Sequence, residues 1–408
     1  MKRLALLPLL LWACLGQAEI PGSLQFKVDN RLRPNVDFWV KIYSQYTSEE
    51  GLLHDARYVD RVYEVIDVSR SGSGARIRAA KQRWRAALLS LHRKWIKSPE
   101  GTPPGMSADE AKVFELFKDV REPDKFFNAA HRKRLRFQLG QKDRFLEGYR
   151  QAGRFLPMME EVFKRENMPL ELTRLPFVES SFNVKARSKV GASGIWQFMR
   201  STAKLYIAVD DSLDERNDPI RATEAAAKLL KANYESLRAW PLAVTAYNHG
   251  RKGLMRAVRR VGSDQLEDVV ADYRSRTFGF ASSNFFVELL AAVEVEKNAE
   301  KYFGRVEREK PVEFVQVRMP DYVPYRELCR FLKLDPRRLR ELNPGLTDAV
   351  FTGARWIPAG FGLRLPASPN PGDGEKGMVA KLFLAGYEEL PSVYKRRGQR
   401  LSSYGTAD

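Results

Sequence analysis

Pro176-Phe-Val-Glu179-Ser180-Ser-Phe182, then Gly191-Ala-Ser-Gly-Ile-Trp-Gln197-Phe-Met199, then Ala246-Tyr247-Asn248-His-Gly250, is the part of this 408-residue chain on which its reading turns. One carboxylate stands among Pro, Phe and Val, a glycine-rich turn follows, and a tyrosine–asparagine pair closes a helical pattern. Burial among apolar side chains disfavours the charged form of a carboxylate, so Glu179 is expected to keep its proton to a higher pH than an ordinary glutamate. A protonated carboxylic acid near neutral pH is what cleavage of a glycosidic bond requires. Taken singly, each residue has a plainer explanation: a helix glutamate satisfied by neighbouring backbone, or side chains that pack a core. It is the three segments together that carry a chemical reading.

Around them the pattern is helical from Arg154 to Gly304. Asn217-Asp218-Pro219 is a helix start, with an Asp cap and Pro at the first helical position. The alanine-rich run 222–230 continues it with strong helix formers. Trp240-Pro241 opens another helix and Gly250 follows its end, so Tyr247 and Asn248 fall in a final turn where side chains can aim into a cleft. Upstream, residues 36–68 carry helical spacing in Phe38, Trp39, Ile42, Tyr43 and Tyr46, then Val59, Val62, Tyr63 and Ile66. Residues 77–96 repeat it with Trp84, Leu88, Leu91 and Trp95, and it resumes from Phe114 and Phe117 to Phe145. Residues 24–150 are therefore expected to be a helical packing region whose aromatic stripes are core. Residues 310–368 change character: a short strand around Phe314 to Val317, helices over 325–332 and 336–342, then a returning strand at 363–366. The expected fold class is mainly α with a small α+β module.

In order and spacing the three segments resemble the lytic transglycosylases, which cut bacterial cell-wall peptidoglycan. The resemblance spans residues 24–368 and is strongest over 137–258. It implies a lysozyme-like catalytic domain over 151–305 with Glu179 as the catalytic residue. A glycosidase usually needs two carboxylates, and after Glu179 the next are Asp210, Asp211, Asp214 and Glu215, which look like loop and cap residues. A single acid fits this family, where the substrate's own N-acetyl carbonyl and C6 hydroxyl stand in for nucleophile and water, without cofactor or metal. Carried over residue by residue, the resemblance also implies substrate-binding roles for Ser180, Ser188, Gln197, Met199, Tyr247 and Asn248. Ser180 supports local geometry, Ser188 lies near the reacting sugar, and the Gln197 amide reads sugar substituents while Met199 packs on a ring face. The Tyr247 hydroxyl bonds the transition state or Glu179, and Asn248 holds that arrangement. Two departures are Arg200, where relatives often have proline, and Phe278-Gly-Phe-Ala-Ser-Ser-Asn-Phe-Phe286, where many carry Thr-Arg-x-Tyr-Val. Residues 310–368 resemble a LysM module, a small carbohydrate-binding fold, but Pro320-Asp-Tyr-Val-Pro324 stands where its Gly-Asp-Thr-Leu signature would. That leaves two roles open, sugar binding or bracing.

The ends carry further expectations. Lys2 and Arg3 precede an apolar run from Leu4 to Leu15, too short to span a bilayer, and Gly16-Gln-Ala18 is a small-x-small cleavage site. Residues 1–18 therefore read as a signal peptide, placing the protein in the periplasm or cell envelope. A competing reading takes Leu11-Trp-Ala-Cys14 as a lipidation box despite the bulky Trp12; membrane anchoring follows only if Cys14 is lipidated. Once the signal is removed Cys329 is the one cysteine left, reading as a small core residue, so no internal disulfide is expected. Residues 369–408 read as a linker and the start of a second, truncated LysM module. Lys+Arg of 69 against Asp+Glu of 51 gives a net charge of +18, which suits polyanions in general. With an export signal and no nucleic-acid motif, nucleic acid is set aside as a partner and peptidoglycan glycan strands are expected. A catalytically weak wall-binding scaffold and a hydrolytic, lysozyme-like muramidase are the alternatives.

Overall fold

The computed structural model describes residue 26, residues 28–98 and residues 101–367. The signal, Cys14, and the linker with its second LysM start lie outside the described residues. Among the described residues no helix is long and apolar enough to cross a membrane.

The N-terminal region opens with α1 (Arg33–Ser44), which buries Val36, Phe38, Trp39, Ile42 and Tyr43. Here the helical expectation needs correction. Val59, Val62, Tyr63 and Ile66 do not share a helix: Glu50–Asp55 (β1) and Val62–Asp67 (β2) are antiparallel strands, and Leu135–Leu139 (β3) pairs with the other edge of β1. A four-residue apolar spacing is ambiguous when the run is short. In β2 the buried positions are Tyr63 and Ile66, with Val65 exposed on the opposite face. Across this sheet lies α2 (Ser73–Trp95), whose Trp84, Leu88 and Leu91 bury against Leu53 and Tyr63. Two short helices, α3 (Ala108–Leu116) and α4 (Lys125–Ala129), complete this small core through Val113, Phe117 and Phe126.

After α5 (Lys142–Ala152) and α6 (Leu156–Arg165) come the elements that hold the site: α7 (Leu175–Glu179), α8 (Arg200–Ala203), α9 (Pro219–Leu237), α10 (Trp240–His249), α11 (Arg251–Val261), α12 (Leu266–Asp272), α13 (Phe280–Lys297) and α14 (Ala299–Phe303). Helix α9 starts as its sequence indicates, with the Asp218 side chain accepting from the Ile220 and Arg221 amides and Pro219 at the first position. Helix α13 is apolar nearly all round and is correspondingly buried. It packs against α1, α7 and α10, so it is the axis that brings three distant stretches together. The buried Trp39 indole donates to Asn284 on α13 at 3.1 Å, and Arg33 forks onto Glu294 at 3.1 and 3.2 Å. The N-terminal region is thus fastened to the helix that backs the site.

The C-terminal module pairs β4 (Phe314–Arg318) antiparallel with β5 (Gly362–Pro366), enclosing α15 (Tyr325–Phe331), α16 (Pro336–Leu342) and α17 (Asp348–Thr352). The free thiol of Cys329 is buried in its core. The module is tied to the segment before α9. Asp214 N–H donates to Gly345 O at 2.8 Å, Thr347 N–H to Ser212 O at 3.0 Å, and buried Arg364 pairs with Asp218 at 2.8 Å.

Candidate active site

Pro176 sits in the first turn of α7, and the helix stops at Glu179 because Ser181 and Phe182 take left-handed backbone angles, φ 51° and 57°. That turn drives Phe182 into the core and leaves Glu179 at a helix end, half-buried. Behind it Phe177 stacks on Phe145 at 4.5 Å and meets Phe182 edge-on at 4.7 Å, an aromatic backing that excludes water. The Glu179 carboxyl makes no hydrogen bond among the described residues. Burial, and then the nearby charge of Glu288, push it up to about 8. It is therefore mostly protonated at neutral pH, as an apolar setting requires.

The glycine-rich turn is held against this end by side chains. Ser180 Oγ donates to Ile195 O at 2.9 Å, and the Tyr247 hydroxyl donates to Trp196 O at 2.7 Å. Tyr247 thus does not bond Glu179 directly; it pins the turn beside it, while its ring stacks parallel to Phe285 at 6.2 Å. Gln197, at φ 48°, spends its amide N–H groups inside the turn, on Gly194 O at 2.8 Å and Ala186 O at 3.2 Å. What remains for a ligand is its amide oxygen. Gly194 is required here, because at φ 77° an added Cβ would overlap the Arg216 carbonyl. Asn248 accepts from Ser282 at 3.1 Å, the first turn of α13. Ser188 Oγ accepts from the Ala192 amide at 2.9 Å and Met199 is 42% exposed; both stand on the outer lip of the turn. The structure therefore brings Glu179, Ser180, Gln197, Tyr247 and Asn248 into one linked arrangement, with Ser188 and Met199 further out.

Three residues here escape sequence reading. Glu288, mid-way along α13, lies close enough to Glu179 to shift it. Burial pushes Glu288 itself up to about 8, opposed by Arg136 and by a hydrogen bond from the Tyr43 hydroxyl. Two coupled carboxyls of this kind lose their protons as a pair. Tyr43 comes from α1, and its own phenol is held protonated, first by burial and then by Glu288. Arg136 comes from β3; its guanidinium lies 3.8 Å from the Phe280 ring and its Nε has no partner. The one available signal was that Glu288 is the sole charged residue in the stretch 280–293. A charge in a buried apolar helix demands an explanation. Among the described residues no cluster of His, Cys, Asp and Glu is arranged to hold a metal ion.

The comparisons with known proteins fall on this site. Residues 158–269 match the family described as "Transglycosylase SLT domain". The chain is 30% identical over 168 residues to membrane-bound lytic murein transglycosylase D of Escherichia coli (strain K12), covering 38% of this chain and 36% of that protein. Among solved structures, an inactive mutant of lytic transglycosylase Slt from Pseudomonas aeruginosa matches 55% of this chain and 33% of its own, with 16% identity and a TM-score of 0.29. The chain thus spans about a third of the relative's length (36%). The fold is mainly α, as expected from the sequence, and residues 158–269, which contain Glu179, Gln197 and Tyr247, match the transglycosylase SLT domain family.

Proposed function

We propose that this protein is an exported peptidoglycan lytic transglycosylase that cleaves the β-1,4 bond between N-acetylmuramic acid and N-acetylglucosamine and leaves 1,6-anhydro ends. The observation that carries the reading is the Glu179 carboxyl, held protonated by burial at a helix end against the turn that Ser180 and Tyr247 fix in place. As an acid, Glu179 gives its proton to the glycosidic oxygen, and the bond to C1 breaks. The N-acetyl carbonyl of the substrate supports C1. The resulting Glu179 carboxylate then takes the proton of the C6 hydroxyl, whose oxygen attacks C1 and closes the anhydro ring. Glu179 ends protonated again, and no water is consumed. Export rests on the Lys2-Arg3 and Leu4–Leu15 pattern, and the C-terminal module serves as a brace that retains a LysM-like element order.

Glu288 favours a second reading, because two neighbouring carboxyls are what a lysozyme-type hydrolase uses. Against it, a nucleophilic or basic partner must be ionised while the acid is not. Burial pushes Glu288 up as far as Glu179. Glu288 is better read as a second carboxyl whose ionisation near pH 8 delays the loss of the Glu179 proton. Replacing Glu288 with Gln removes a negative charge, so the pKa of Glu179 falls and the alkaline limb of the rate profile moves to lower pH; a profile that stays in place removes Glu288 from the mechanism. Tyr247→Phe frees the Trp196 carbonyl and loosens the turn, with turnover expected to fall by about 10²-fold and stability by about 1 kcal/mol. Steady-state kinetics beside a thermal melt separate the two effects. The proposal itself is tested by mass spectrometry of fragments released from purified peptidoglycan. Fragments one water lighter than hydrolytic ones support it, hydrolytic reducing ends support the muramidase, and binding without release supports a scaffold.

A further inference from the structure

A groove of about 820 Å³ opens along the outer side of the site turn. Its walls carry Arg187, Lys189, Arg200, Lys204 and Arg216, and no carboxylate lines it. Arg216 is committed: it forks onto Asp214 with two 2.8 Å bonds and reaches the carbonyls of Gly191 and Phe198. Arg200 reaches Val209 O at 3.2 Å. The side chains of Arg187, Lys189 and Lys204 make no hydrogen bond or ion pair among the described residues. In a basic chain, solvated cations are ordinary. The difference lies in their surroundings, since these cations share one concave wall on which no carboxylate stands. Here like charges converge on a concave wall with nothing to neutralise them, beside Val190, 76% exposed, and Met199. Such a wall attracts an anion that also has apolar surface.

We infer that this groove is a subsite for the carboxylate-bearing peptide stems of the glycan strand, making the enzyme selective for strands that still carry them. The inference rests on the function proposed above. The groove and the acid share one stretch of chain: Arg187 bridges to Ser193 and Ser193 to Phe198, and the Trp196 carbonyl at its inner end is the one Tyr247 holds. A sugar bound at Glu179 therefore lies at the inner end of the turn whose outer wall is cationic. Stem peptides offer carboxylates and small apolar side chains, the complement of that wall.

The test compares kcat/KM of the full chain on glycan strands with their stems and on strands stripped by an amidase. Weak, partly exposed cation–carboxylate pairs sum to a preference of about tenfold for stemmed strands, and this preference shrinks at high salt. In the Arg187→Gln/Lys189→Gln/Lys204→Gln variant the preference is lost through KM, while turnover of stripped strands is unchanged. Equal rates on both strands with the wild type, or a preference the variant keeps, overturn the inference and leave the proposed function standing. Inhibition by a phosphate polymer but not by free stem peptide also overturns it and reassigns the groove to anionic polymers. Failure of the wild type to cleave either strand overturns the underlying reading instead.

Discussion

Replacing Glu179 with Gln lowers glycan cleavage by about three orders of magnitude while leaving the fold intact. General acid–base catalysis contributes about 10²–10⁴-fold, and in the proposed reaction Glu179 is the acid in one half and the base in the other. Gln is isosteric and uncharged, so it keeps the packing against Phe177 and cannot transfer a proton. In the wild type the acid form is needed for the first step, so the rate declines as pH rises through about 8, where burial and Glu288 set the loss of that proton. Stability follows the same linkage with a definite sign. Because the folded-state pKa is raised above the unfolded value, the protonated carboxyl favours folding fully below about pH 4.3, and that contribution is lost as pH rises through about 8. Glu179→Gln removes the conflict and is expected to stabilise the protein by about 1–2 kcal/mol at pH 8 and negligibly at pH 4. Thermal melts at the two pH values measure the difference. A variant no more stable at pH 8 than the wild type contradicts a buried, pKa-raised carboxyl.

Asp218→Ala is the largest expected loss of stability. The Asp218 carboxylate does two jobs: it caps α9 through the Ile220 and Arg221 amides, and it neutralises buried Arg364 of β5 at 2.8 Å. Arg364 also packs over the Phe314 ring at 5.0 Å and donates its backbone amide to Asn343. Removing Asp218 strands a cation in a closed interface, which costs about 3–5 kcal/mol, beyond the cap itself at about 1 kcal/mol. Asp218→Asn keeps the cap and loses the charge, so it falls between. Asp218→Ala with Arg364→Met recovers most of the ion-pair loss and little of the cap. Chemical denaturation of the wild type, Asp218→Ala, Arg364→Met and the double variant closes this cycle. A single-variant loss below about 1 kcal/mol means the module is not braced through this pair.

The parts legible in sequence are those with local causes. Asp218-Pro219 announces α9, Trp240-Pro241 announces α10, and Gly250 at φ 87° ends it. Each rests on a cap, a fixed φ or a missing Cβ, which neighbouring residues determine. The strand β2 was not legible. Val62, Tyr63 and Ile66 satisfy a helical spacing, and only pairing with β1, over a dozen residues upstream at the start of the register, settles them as a strand. The candidate site divides in the same way. Glu179, Gln197 and Tyr247 stand in recognisable motifs, and the structure gathers them. Glu288 lies on a different helix from Glu179, and Tyr43 and Arg136 belong to the N-terminal region. Their relation exists only because α13 packs simultaneously on α1, α7 and α10. A second carboxyl does stand near Glu179, brought there by tertiary packing that the order of acids along the chain does not show.

The most direct test of the account is digestion of peptidoglycan in water enriched in heavy oxygen, with the released fragments weighed. If Glu179 gives its proton to the glycosidic oxygen and then takes one from the substrate's own C6 hydroxyl as that oxygen closes on C1, the new ends contain no solvent oxygen, and fragment masses match those from ordinary water. One heavy oxygen at each new reducing end, absent with Glu179→Gln, contradicts the account and makes this protein a hydrolase in which Glu288 must be given a direct role.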